Sequence, residues 1–360
     1  MRNLAKKNTV TLNLLLIAAF LLTGCAGSGD APKKIGVLMP SKNESRWVQD
    51  SDNITRQLQA KGYHAYIKNA ENNVEKQISQ VEALVNDGCA VLVIAAVDGS
   101  GLADALKKAA KKKVKIIAYD RLLLDTPNVD YFASFDSFKV GAMQGGYIEK
   151  ALGLENNAGP FNIEIFAGSP DDSNSQLLYD GAMSVLLPYI DAGRLVIASG
   201  ETEACEVSIK GWDWLAAQAR MERLLVDYYS GGRKLHAVLS PNDGLAIGII
   251  NALKGNGYGH GENFPLLTGQ DCAQENVIAM LNGEQSMSVF KDTRILADRT
   301  VRMIDDLLLG KPAEINDDKT YYNGVKIVPA YMCIPIYADS ENYKLVLVDS
   351  GYYDEADLKP

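Results

Sequence analysis

Short apolar runs with strand character alternate along this chain with longer stretches whose apolar residues recur every third or fourth position. The first kind predicts strands over residues 35–39, 63–68, 91–95 and 115–119, and again over 161–166, 195–198, 235–239, 266–268 and 287–290. The second kind predicts a helix that runs from the polar segment 43–50 to Gly62, and helices over 74–86 and 102–111. Further helices are expected over 140–152, 175–189, 214–229, 244–254, 274–281 and 296–309. Val74, Ile78, Val81, Leu84 and Val85 show the register plainly, since that spacing puts all five on one helical face. Parallel strands need crossovers, so strict strand–helix alternation predicts parallel sheets covered by helices on both faces. The alternation restarts after Arg121, which makes two α/β units of similar design, followed by short strands expected at 325–328, 331–334 and 345–348.

Several of the apolar runs end in polar or charged residues. The plainest is 115–121, where strand residues lead straight into Asp120 and Arg121. Open α/β sheets bind ligands at this carboxyl edge. Arg46, Asp120, Arg121, Asp172, Asn174, Asn242, Asp243, Asp271 and Lys291 each lie shortly after an apolar run, and together they hold three cations and four carboxylates. In one cleft these charges partly neutralise one another. A sugar hydroxyl both donates and accepts, so Asp or Asn can take its proton while Arg, Lys or Asn donates to its oxygen. Trp47 and Trp212 add flat apolar surface suited to the C–H face of a sugar ring. The competing reading for any one of these residues is an ordinary polar loop group or, since Asp and Asn favour that position, a helix N-cap.

At the start of the chain, Arg2, Lys6 and Lys7 precede an apolar run over 12–22 that is too short to span a bilayer, which is the pattern of a secretory signal over residues 1–24. Leu22-Thr23-Gly24-Cys25 looks like a lipobox, with Cys25 as the lipidated first mature residue and the Gly/Ser-rich 25–32 as a tether. Loss of the leader takes the formal charge from −9 to −12, an unfavourable balance for binding nucleic acid. The remaining chain is still longer than one core usually serves, which again predicts two domains.

Cys89, Cys205, Cys272 and Cys333 have no metal-ligand spacing; an exported chain permits disulfides, but a free buried thiol is the expectation for Cys89. The lysines at 107, 108, 111, 112 and 113 read as a solvated helix end. The three histidines, His64, His236 and His260, have no metalloprotease spacing, and neither a Gly-x-Ser-x-Gly nor a Walker sequence occurs. Gly255, Gly257, Gly259 and Gly261 follow a helix instead of a strand, so they read as a helix stop, not a phosphate loop. Asp171, Asp172 and Asn174, or Asn316, Asp317 and Asp318, lack the ligand order of a calcium loop. Neither metal nor cofactor is expected.

In this order, a further set of motifs is highly specific: Arg46-Trp47, Ala118-Tyr119-Asp120-Arg121, Gly168-Ser169-Pro170-Asp171-Asp172-Ser173-Asn174, Gln218-Ala219-Arg220-Met221-Glu222, Ser240-Pro241-Asn242-Asp243-Gly244, Gly269-Gln270-Asp271, Val289-Phe290-Lys291-Asp292-Thr293-Arg294 and Val348-Asp349-Ser350-Gly351-Tyr352-Tyr353. Over residues 33–358 the chain resembles the periplasmic monosaccharide-binding proteins of ATP-driven (ABC) importers, in the ribose/galactose-binding superfamily, most closely the xylose-binding and multiple-sugar-binding members. The stretch 201–210 departs from their pattern, and Asn242 stands where the multiple-sugar-binding members differ. The resemblance implies a type I periplasmic-binding fold: two Rossmann-like lobes, 33–135 with 292–328 and 136–291 with 329–360, joined by three hinge segments. It also implies ligand contacts from Arg46, Asp120, Arg121, Asp172, Asn174, Trp212, Asn242, Asp271 and Lys291, with Trp47 and Asp243 beside them. The function it implies is capture of a pentose or hexose without catalysis, delivery to permease membrane subunits, and signalling to a chemoreceptor or sensor kinase.

Two other classes compete with this reading. A secreted sugar-acting enzyme could use Asp171 and Asp172 as an acid–base pair. A sugar-sensing transcriptional regulator shares the lobe pair, but the export signal and the lack of a basic helix-turn-helix before Lys33 argue against it.

Overall fold

The computed structural model describes residues 33–359; Cys25, the leader and the tether lie outside them. In the first lobe, strands β1 (Lys34–Met39), β2 (His64–Asn69), β3 (Val91–Ile94), β4 (Lys115–Tyr119), β5 (Tyr131–Phe135) and β11 (Ala330–Cys333) form one sheet, in the order β11-β5-β4-β3-β1-β2. Every pairing in it is parallel. Helices α1 (Ser45–Ala60), α2 (Val74–Asn86), α3 (Ala103–Lys111) and α10 (Thr293–Leu308) cover its two faces. One face buries Leu84, Leu92, Ile94, Leu106 and Ile116; the other buries Ile35, Val37, Ile54, Val93 and Ile304. A sheet buried on both faces accounts for the near-continuous apolar strands.

The second lobe repeats the design with β6 (Phe161–Ile165), β7 (Leu195–Ile197), β8 (Ala237–Leu239) and β9 (Leu266–Leu267), in the order β7-β6-β8-β9, all parallel. A parallel bridge from Gln270 to Val289 extends it to β10 (Met287–Phe290), against which β12 (Ile336–Asp339) lies antiparallel as the edge. Its helices are α4 (Ser137–Ala151), α5 (Ser173–Asp191), the short α6 (Ala204–Val207), α7 (Trp214–Tyr228), α8 (Asp243–Gly255) and α9 (Gln274–Leu281). The chain passes between lobes three times: after β5, after β10, and between β11 and β12.

The architecture agrees with the α/β, two-lobe expectation, and four local readings are corrected. Residues 131–135 and 336–339 are strands that the apolar pattern did not announce. Residues 345–348, an apolar run that reads as a strand, belong to the π-helical turn Lys344–Val348, which buries Leu347 against Phe290, Val277 and Leu358. A short apolar run does not by itself distinguish strand from helix. Residues 325–328 make only a single bridge, Tyr322 to Ile327. Finally, β11 pairs with β5 in the first sheet, so the third crossing follows Cys333 instead of falling at 328–329.

Several helices begin earlier than their apolar residues suggest, because aspartates cap them. Asp136 accepts from Lys139 N, Asp172 from Asn174 N and Asp292 from Arg294 N, which starts α4, α5 and α10 at 137, 173 and 293. All four described cysteines are free, and only Cys205 is exposed. Among the described residues, no helix is long and apolar enough to cross a membrane.

Helices α4 and α5 approach so closely that glycine is required on both. A methyl group on Gly181 would run into the Phe138 carbonyl, and one on Gly141 into the Leu178 carbonyl. Both obstacles are backbone, which cannot swing aside. Gly181→Ala is therefore expected to destabilise the protein by about 1–3 kcal/mol, seen as a lower urea midpoint at unchanged slope; an unchanged midpoint would mean that the seam can open freely.

Candidate functional site

Strand β4 ends at Tyr119, and the chain then turns sharply. Asp120 takes a left-handed backbone conformation (φ 60°), with its N–H donating to the Ala133 carbonyl at 2.8 Å. Its own carbonyl accepts from Ser134 Oγ at 2.8 Å and from Asn174 Nδ2 at 2.9 Å. Asp271, past the end of β9 in the second lobe, has φ 100° and is held by a 2.8 Å bond from its N–H to the Val289 carbonyl. Such backbone costs about 1–3 kcal/mol per residue outside glycine and persists where surrounding bonds enforce it. Here it brings two carboxylates, one from each sheet, to the same place.

Two cations join them. Arg46, in the first turn of α1, bonds to Asp120 and lies 3.3 Å from Asp50 and 3.4 Å from Asp271. Lys291, immediately after β10, lies 3.1 Å from Asp271 and 3.9 Å from Asp120. A third ion pair crosses the cleft beside this group, Arg121 Nε to Asp172 Oδ2 at 2.8 Å. The guanidinium carbons of Arg46 and Arg121 sit over the Trp47 ring, 4.8 and 5.2 Å from its centroid. Trp212 Nε1 donates to Asp172 at 3.2 Å, and Asn242 caps α8 by accepting from Leu245 N at 3.0 Å.

The charges are mutually supported. Burial works against the Arg46 cation, but Asp120, Asp271 and Asp50 raise its pKa well above the ordinary guanidinium value. Burial also works against the Asp120 anion, yet Arg46 and Lys291 hold its pKa below the usual carboxylate value. Behind Arg46, burial pushes Asp50 up to about 6 despite the pull of Arg46 and the hydrogen bond from Tyr119. The result is a polar chamber with strong acceptors and strong donors side by side, the combination that a neutral polyol requires.

Of the residues expected at the site, Arg46, Trp47, Asp120, Arg121, Asp172, Asn174, Trp212, Asn242, Asp271 and Lys291 all line one inner chamber between the lobes. Its cavity volume is about 20 Å³, room for roughly one water. It adjoins an outer chamber of about 710 Å³ bounded by Asn43, Glu44, Trp212, Trp214, Ile247 and Ala273, among others.

Asp243 stands apart from the other expected residues. It borders only the outer chamber, and its carboxylate accepts from Gln285 Nε2 (2.9 Å), Ser288 Oγ (2.8 Å) and Ala273 N (2.8 Å). Those bonds make it a latch between the 269–273 loop and β10. The enzyme reading loses its acid–base pair: Asp171 is exposed and absent from the chamber lining, while Asp172 is committed to Arg121, Trp212 and its helix. The chamber also contains Glu44, Ser137, Leu178 and Gln270, which the apolar pattern did not single out. Ser137 follows the unannounced strand β5, and Gln270 stands inside the Gly269-Gln270-Asp271 motif. Glu44 lies two residues before Arg46.

Two lobes of parallel α/β design with a polar chamber at their facing strand ends define a binding protein of the periplasmic class. Residues 35–312 match the periplasmic binding protein domain, and the chain belongs to that family. It is 51% identical over 326 residues (90% of this chain, 91% of the relative) to the multiple sugar-binding periplasmic protein SbpA of Azospirillum brasilense. It is 50% identical, over 90% of this chain and 92% of the relative, to the multiple sugar-binding periplasmic receptor ChvE of Rhizobium radiobacter. A solved ABC transporter solute-binding protein from Clostridium phytofermentans, with bound β-D-glucose, superposes with a TM-score of 0.88 at 47% identity, covering 91% of this chain and all of the other. These relatives are binding proteins and receptors, not enzymes.

The burial of Asp243 carries a pH signature. Burial, with Asp271 adding, pushes Asp243 up to about 7, against the lowering effect of Gln285, Ser288 and Ala273 N. A carboxyl raised on folding contributes stability that is full below its unfolded pKa and lost as pH rises through the folded one. The stability advantage of wild type over Asp243→Asn is therefore expected to shrink as pH rises from about 5 to about 8. Paired denaturant titrations measure it, and an advantage that grows with pH would mean that the three hydrogen bonds to the ionised carboxylate outweigh its burial.

Proposed function

We propose that this protein captures one pentose or hexose between its lobes and delivers it to the membrane subunits of an ABC importer. In this reading it works outside the cytoplasm, held to a membrane by lipid on Cys25, and its closed form also signals to a chemoreceptor or sensor kinase. The carrying observation is that Asp120 and Asp271, from opposite lobes, share Arg46 and Lys291 in one buried chamber. Charges this desolvated need hydrogen-bonding partners of fixed geometry, and sugar hydroxyls supply them without adding a net charge. The similarity to multiple-sugar-binding relatives and to a glucose-bound structure supports the same ligand class. The inner chamber is far smaller than the roughly 300 Å³ at the low end of small-molecule sites, so the lobes part before a sugar enters and close on it afterwards.

A thermal-shift screen over neutral monosaccharides tests the proposal. A true ligand at a hundred times its dissociation constant adds about 2.7 kcal/mol of stability; no shift with any pentose or hexose would sink the sugar reading. With the best sugar, calorimetric titration of Asp120→Ala should show affinity weakened by roughly 10- to 200-fold, the worth of a charged hydrogen bond, and more where Arg46 loses its counter-ion. Asp120→Asn should lose less. Unchanged affinity in Asp120→Ala removes this strand end from the site.

The anchor is tested separately. Cys25→Ser should release the protein from membranes or leave its leader attached, and unaltered membrane association and migration would contradict lipidation.

A further inference from the structure

The charges of the inner chamber do not balance. Its lining holds three cations, Arg46, Arg121 and Lys291, and four carboxylates, Asp120, Asp172, Asp271 and Glu44. Counted one for one, the three cations offset the three aspartates: Arg46 bonds to Asp120, Arg121 lies 2.8 Å from Asp172, and Lys291 lies 3.1 Å from Asp271. Glu44 is the carboxylate left over. It stands at the N-cap position of α1, but its side chain makes no capping hydrogen bond. It lines both the inner and the outer chamber, so it borders the route between them. Asp50, buried behind Arg46 at 3.3 Å, adds a further carboxylate to the same group.

An uncharged sugar can enter such a site without altering its net charge. A sugar acid brings another carboxylate into a chamber that already has one in excess. It could gain a cation only by displacing Asp120, Asp172 or Asp271, which would leave a buried aspartate unpaired at a cost that commonly exceeds the gain. We propose that Glu44 is a specificity-determining residue, through which the site selects uncharged sugars and rejects uronic acids. The inference rests on the sugar-binding function proposed above and narrows its ligand class.

The test compares sugars that differ only at C6, D-glucose with D-glucuronate and D-galactose with D-galacturonate, by calorimetric titration of the full chain at neutral pH. The quantity read is the ratio of the two dissociation constants within a pair, so that a general change in affinity cancels. Wild type should bind the uronate at least about 100-fold more weakly than its neutral parent, the scale of a like-charge contact in a desolvated site. In Glu44→Gln, which keeps the shape and removes the charge, the ratio should fall by about 10-fold or more, and Glu44→Ser, a second neutral replacement, should move it the same way.

Equal affinity of wild type for uronate and parent overturns the inference, and a ratio unchanged in both variants overturns the role of Glu44. Failure of any neutral sugar to bind wild type overturns the sugar-binding function itself, and this inference with it, which keeps the two failures apart.

Discussion

Arg46 cannot be buried alone. A guanidinium in the interior is tolerable only with carboxylates placed around it, and removing a partner from such a group costs about 3–5 kcal/mol. Arg46 has three carboxylates, Asp50 on its own helix, Asp120 at the end of β4 and Asp271 from the other lobe. Much of the local structure follows from this requirement. Asp120 and Asp271 hold backbone conformations that favour glycine, and bonds to Ala133 and Val289 fix them there. Lys291 sits where the chain crosses between lobes, within reach of both aspartates.

The same group couples the site to the relation between lobes. Arg46 to Asp271, Arg121 to Asp172, Asn174 to the Asp120 carbonyl and the 3.1 Å bond from Leu122 N to Ser173 Oγ all span the cleft. Opening the lobes separates these partners and exposes them to water; closing reassembles them. A ligand that bonds to both sides favours the closed arrangement only by as much as it prefers that state. In the proposed function the sugar supplies that preference from the middle of the group, where hydroxyls interpose between charges already in place.

The sheet edges carrying the site were legible because an apolar run that stops at charged residues has a simple physical cause: the strand leaves the core at a point where polar groups can be solvated or paired. Arg46, Asp120, Arg121, Asp271 and Lys291 carry that signal. Direction was not legible. Asp243 follows an apolar run and begins a helix much as Asp172 does, but Gln285 and Ser288, some forty residues later in the chain, turn its carboxylate away from the chamber. Glu44 lies in a connecting segment without periodicity, so only its place in the chamber marks it. The edge strand β12 is partly exposed and lacks the buried pattern of a central strand, and residues 345–348 have a strand's composition but a helical turn's packing.

The most direct test is a crystal structure of the complex with the neutral sugar that binds most tightly. The sugar ring is expected between Asp120 and Asp271, with hydroxyl oxygens within about 3.2 Å of the Asp120 carboxylate and of an Arg46, Arg121 or Lys291 nitrogen, and with both lobes contributing contacts. Sugar found outside the inner chamber, with the contacts of Arg46 to Asp120 and Asp271 undisturbed, would contradict the account.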